Sequence, residues 1–190
     1  MLVKLITEPA SEPLTLREAK DHLRLEGSDD DDQVNSAILA ARQWVEKHCW
    51  RGLVTQTWER TLNGFPCEDE LQLPKGNLVS ISSVKYVDGD GVTQTLSTGE
   101  YQADTSSEPG KLRLAYGKSW PGTRCQWDAV KVCYIVGWAV ADVPGPIKSA
   151  IKLLVSQLYE HRTPEVVGAT ISPVQFAVKA LLDPYRLARF

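Results

Sequence analysis

The sequence has little of what usually carries catalysis, metal binding or membrane insertion. Three histidines (His22, His48, His161) and four cysteines occur in 190 residues, with no GxSxG, GxxxxGK[ST] or GxGxxG pattern. Neither a nucleophile elbow nor a phosphate-cradling loop is therefore encoded locally. His48 and Cys49 are adjacent, and neighbouring positions on a helix diverge by about 100°, which disfavours a dyad within one chain. Cys49, Cys67, Cys125 and Cys133 lie 18, 58 and 8 positions apart. That spacing matches neither a zinc site nor a disulfide framework, so the four read as free thiols. The longest apolar stretch, Val132 to Ala141, is ten residues including Gly137, about half of a membrane span. Met1 to Ile6 runs directly into Thr7-Glu8-Pro9 without a signal-peptide pattern, so a soluble protein made in a cytosol is expected. An excess of one charge is also missing: 21 Lys/Arg stand against 24 Asp/Glu, a net of −3, which excludes a global basic field for nucleic acid. No metal, no cofactor and no enzymatic activity are expected on these grounds.

What is present is ordinary globular material, 43% hydrophobic and 24% charged, enough for one domain or a small domain with a large insertion. The charge is unevenly placed. Residues 1–100 hold 10 Lys/Arg against 17 Asp/Glu, and residues 101–190 hold 11 against 7. Such a division is either compositional drift or a means of joining unlike surfaces of neighbouring copies.

Three local patterns could suggest ligands. Asp29-Asp-Asp-Asp32 is contiguous and sits where a helix should start, so capping and dipole compensation explain it better than calcium, whose loops spread their ligands over about twelve residues. Asp88-Gly-Asp-Gly91 opens like a calcium loop, but Val92 takes a ligand position, and a hairpin turn fits better. Lys118, Trp120, Arg124 and Trp127 interleave cations with aromatics like a base-stacking platform. The favoured reading keeps the indoles in the core.

Along the chain, helical thirds flank a strand-rich third. Thr15-Leu-Arg-Glu18 fits a capping box, followed by a short amphipathic helix with a stop at Gly27. A second helix is predicted from about Asp31 to Cys49, with Val34, Ala37, Ile38, Ala41 and Val45 on one face and Gly52 as its stop. Between Thr55 and Gly137 the period changes to two, notably in Thr55–Leu62, Ser80–Val87 and Ala129–Val136, and dense Gly/Pro punctuation implies five to seven short strands. A third helix is predicted from about Ile147 to His161, and a last short one from Ser172-Pro173 through Leu182. The tail Tyr185 to Phe190 is too short to fold alone. The fold class expected is α+β: a small bundle of three or four helices with a β-rich insertion between the second and third long helices. Its parts are an N-terminal helical part (1–54), the insertion (55–140) and the C-terminal helices and tail (141–190), with 1–54 and 141–190 completing one helical domain.

Several stretches in this order carry a resemblance. They are Glu12 to Leu25 with the Asp29–Asp32 run, Ile38 to Glu46, Leu53 to Trp58, Pro144 to Ala150, Leu158-Tyr-Glu-His-Arg162 and Ala180-Leu-Leu-Asp-Pro-Tyr-Arg186. Over nearly the whole chain the set resembles the head-tail connector (adaptor or head-completion) proteins of tailed bacteriophages, in their longer branch with a β-rich insertion. The resemblance implies a structural virion protein without catalytic residues. It would form a ring with itself, expected to be twelvefold, below the portal protein, extend the DNA channel and receive a stopper or tail-completion protein. DNA would only pass through the lumen, no membrane would be involved, and the place of action would be the virion's head-tail interface. Other virion roles, such as tail completion or packaging accessory, and a ligand-binding or enzymatic use of the β insertion, are the alternatives. Lys148, Lys152 and Arg162 near the third helix, with Tyr185, Arg186, Arg189 and Phe190 in the tail, are the candidate oligomer or portal contacts, being of residue types favoured at interfaces. The tail is expected to dock on a portal or neighbouring subunit rather than on its own domain.

Overall fold

The structure, a computed structural model, describes residues 2–160 and 173–188. Two compact units are present: residues 1–10 with 55–137, and residues 11–54 with 138–190.

The second unit is helical. Its elements are α1 (Leu16–Leu23), α2 (Asp31–Cys49), α3 (Gly145–Glu160) and α4 (Pro173–Leu182). The capping box at Thr15 forms as expected: the Glu18 amide donates to Thr15 Oγ1 at 3.2 Å and the Thr15 amide to Glu18 Oε2 at 2.9 Å. The two glycine stops do not serve. Arg24 (φ 57°) ends α1 three residues before Gly27, and Trp50 (φ 56°) ends α2 two residues before Gly52. Tertiary contact overrides the glycine preference here, because the early turn brings Leu25 against the core and Arg51 into a buried site. Val34, Ile38, Ala41, Val45 and Cys49 of α2 meet Ile147, Ala150, Ile151 and Val155 of α3 and Val178 and Leu182 of α4 in one buried cluster. Each large aliphatic side chain so buried contributes about 1.5–3 kcal/mol. The chain leaves and re-enters this unit side by side, since Val54 forms a parallel bridge with Trp138 and the Trp138 amide donates to Leu53 O.

The other unit holds eight strands, β1 (Leu2–Thr7), β2 (Gln56–Leu62), β3 (Glu70–Leu73), β4 (Leu78–Val87), β5 (Thr93–Thr95), β6 (Tyr101–Asp104), β7 (Gly110–Leu114) and β8 (Val130–Val136). They form a five-stranded sheet ordered β1-β2-β8-β4-β5 and a three-stranded sheet ordered β3-β7-β6, with every pair antiparallel. The central β8 alternates Val130, Val132, Tyr134 and Val136 inward against Leu71, Leu73, Leu78, Val84 and Leu112. The fold is α+β, with strands β2 to β8 lying between α2 and α3 in sequence. Residues 2–7, read as part of the helical segment, instead form β1 against β2. Leu-Val-Lys-Leu-Ile-Thr is strand-like in composition, but its partner lies more than fifty residues away and leaves no local signal.

Candidate interaction surfaces

The acidic run at the start of α2 is divided by its partners. Tyr159 donates its hydroxyl to Asp30 Oδ2 at 2.7 Å, and Lys20 pairs with Asp31. Asp30 occupies the N-cap position but makes no side-chain cap, so its expected capping role passes to the tie with α3. Asp29 and Asp32 stay exposed. Three turns further along α2, Arg42, 3% exposed, is gripped by Glu12 at 2.8 Å and Glu46 at 2.9 Å, which anchors the segment before α1 to α2.

Of the predicted interface residues, Lys148 and Lys152 are half-buried on α3. Glu18 sits low in pKa chiefly through its hydrogen bonds with Thr15, and the charges of Lys148 and Lys152 add to the effect. The two lysines thus face α1 within their own unit. Arg186 is exposed. Tyr185 is half-buried against the helical core, its carbonyl accepts from Arg51 Nε at 3.1 Å, and the Leu187 amide donates to Cys49 O at 3.0 Å. The tail through Leu187 therefore docks on its own unit, contrary to the sequence expectation. Buried Arg51 and the α2 C-terminal carbonyl offer it hydrogen bonds that a sequence pattern does not reveal. Arg162, Arg189 and Phe190 lie outside the described residues.

Sequence reasoning missed two surfaces. Ala40, Ala41 and Trp44 of α2, Leu154, Gln157 and Leu158 of α3 and Val178 and Lys179 of α4 line a groove of about 580 Å³. Trp44 stacks on His48 with ring centroids 4.9 Å apart. The signal was the position of Trp44 at the edge of the apolar stripe, with its partners on two distant helices. The second surface is on the β unit. Trp120 is core-like, stacked on Phe65 at 4.6 Å and donating Nε1–H to Glu68 O at 2.9 Å. Trp127, assigned with it to the core, is instead 83% exposed. It stands at a cleft of about 490 Å³ with Lys85, Lys131, Glu59 and Asp128.

The ligand-like motifs resolve into turns. Asp88 accepts from the Asp90 and Val92 amides and from Gln94 Nε2, which lowers its pKa. Among the described residues, no three His, Cys, Asp or Glu side chains gather as a metal site, and no helix is long and apolar enough to cross a membrane.

The family model of phage gp6-like head-tail connector proteins matches residues 13–103, from the loop before α1 to β6. Solved structures match over the whole chain. A chain of the neck of an empty gene transfer agent particle, computed with C6 symmetry, shares 23% identity at a TM-score of 0.81, covering 100% of this chain and 97% of the other. A chain of the virion of the native gene transfer agent particle shares 25% identity at 0.79 with the same coverage. One from the native neck computed with C12 symmetry shares 23% at 0.77, again with the same coverage. No curated protein matches the sequence. The head-tail connector pattern is thus carried by residues 13–103, and the likeness of fold to chains of the gene transfer agent particle runs across the whole chain.

Proposed function

We propose that this chain is a structural, non-catalytic head-tail connector of a tailed phage or phage-like particle. It forms a ring, twelvefold in register with the portal, that lengthens the DNA channel and receives the stopper or tail. The observation that carries this reading is the likeness over the whole chain to neck subunits of a phage-like particle, joined to the connector family match. The C6 and C12 symmetries of those necks agree with a cyclic assembly, and closed rings arise from head-to-tail contacts when the rotation closes. DNA then passes the lumen without being gripped, in keeping with a net charge of −3. Lys148, Lys152 and Arg186, with Arg162, Arg189 and Phe190, are the proposed portal or neighbour contacts, whereas Tyr185 already serves its own unit.

Electron microscopy of the purified full chain, alone and mixed with its portal protein, tests the proposal. A ring stacked on the portal is expected. A chain that neither binds the portal nor appears at the neck of intact particles would overturn it, and a chain found elsewhere in the particle would assign it another virion role.

A further inference from the structure

The outer face of the five-stranded sheet carries a charge arrangement that the fold does not need. Lys85 of β4 and Lys131 of β8 are direct cross-strand partners, and both are exposed. Like charges placed directly opposite repel, with Cβ atoms about 4.5–5.5 Å apart. Neither ammonium forms an ion pair or hydrogen bond among the described residues. Trp127 stands exposed over the same cleft, and the loop behind it is pinned, with Asp128 held at φ 57° and its amide donating to Asn63 Oδ1 at 3.3 Å. An exposed indole on a pinned loop, beside two cations, is the composition of an interface anchor.

The complementary charge lies on the other unit of the same chain. Asp29 and Asp32 are exposed and, among the described residues, without a hydrogen bond or ion pair through their carboxylates, while Asp30 and Asp31 are engaged. Asp29 stands just before the Asp30 N-cap and Asp32 in the first turn of α2, so one short stretch of chain offers two carboxylates to the two lysines. We infer that the Lys85–Lys131–Trp127 cleft is one half of a contact between copies of this chain, its occupant the Asp29–Asp32 turn of a neighbouring copy. The contact is heterologous, so it can propagate around a ring. It deepens the connector reading and rests on it. A nucleic acid is the poorer occupant. Glu59 and Asp128 line the same cleft, and a continuous polyanion with a charge every ~1.7 Å of duplex axis would meet them as well, whereas a turn bearing two carboxylates need meet only the lysines.

Sedimentation of the full chain over a range of concentrations and salt tests the contact. The variants are Lys85→Glu/Lys131→Glu, Asp29→Lys/Asp32→Lys and Trp127→Ser, all at exposed positions. Wild type should self-associate and lose association with added salt, as charges beyond about 8 Å are screened at physiological ionic strength. Each double variant alone should associate roughly tenfold or more weakly. An equimolar mixture of the two double variants should recover association, because each reversed face then finds a reversed partner; a folding defect would give no such rescue. Trp127→Ser should weaken association with an unchanged melting temperature. Double variants that associate like wild type, a mixture that stays monomeric, or a wild type that is monomeric throughout would each overturn the contact. Retention of a labelled DNA duplex by wild type and not by Lys85→Glu/Lys131→Glu would assign the face to nucleic acid and overturn it too. The connector reading fails separately, when the chain is missing from the particle neck.

Discussion

At the scale of single residues, two positions show what the fold tolerates. Arg24 is exposed and held at φ 57°, a left-handed conformation that costs a residue with a Cβ about 1 kcal/mol or more. Arg24→Gly should therefore raise stability by about 1 kcal/mol in denaturant titration, glycine being the residue preferred in the left-handed position that ends a helix. Cys49 is fully buried, and burial pushes its thiol up from 9.0 to about 11 against the opposing pull of Arg51 and Arg186. For an acid whose folded pKa is raised, the unfolded chain loses its proton first as pH rises. Stability is then whole below pH 9 and falls between about 9 and 11, by about 3 kcal/mol at most. Melting curves of wild type and Cys49→Ala between pH 8 and 11 should converge as pH rises; parallel curves would contradict this. The capping box at Thr15 and Glu18 was legible in sequence because both partners lie within one turn. The bond from Tyr159 to Asp30 was not, since 129 positions separate them.

At the scale of elements, periodicity located α2, β4 and β8 to within two residues, because their apolar positions face a core on one side. It missed β1, which is legible only beside β2. It also gave no hint that β7 begins in close contact with another strand. A Cβ on Gly110 would stand 2.3 Å from Leu78 Cβ and 2.8 Å from Leu78 Cδ2. Gly110→Ala must move β4 or β7 and should cost about 1–3 kcal/mol, read as a fall in melting temperature. The tail is the other case. Because Tyr185 packs on the helical unit and the Leu187 amide donates to Cys49 O, deleting residues 184–190 should lower its melting temperature. A truncated chain as stable as the full one would mean the tail contacts contribute nothing.

At the scale of the whole molecule, the uneven charge changes meaning once the chain is folded. Each half of the sequence has a distinct net sign, yet residues 1–10 and 55–137 hold 9 Lys/Arg against 11 Asp/Glu, and the other unit holds 12 against 13. The units are nearly equal in net charge, so complementarity resides in local faces rather than in halves of the chain. Each unit also has its own buried cluster. Replacing residues 55–137 by a flexible linker of about six residues across the Val54–Trp138 bridge, without residues 1–10, should leave a cooperatively folded helical unit by circular dichroism. A chain without a cooperative melt would show that the helical core is insufficient alone.

The sequence by itself determined the fold class, the ends of the long elements and the connector resemblance. The first two follow from patterns repeated within a few residues of one another, such as one-sided burial at period 3.6 or 2, and the resemblance from the order of motifs along the chain. Only the tertiary structure decided that β1 joins the sheet, that the tail docks on its own unit, and that Trp127 stands out of the core at a cleft shared with Lys85 and Lys131. Each of these depends on segments far apart in the chain meeting in space, where burial and charge are properties of the neighbours rather than of the residue.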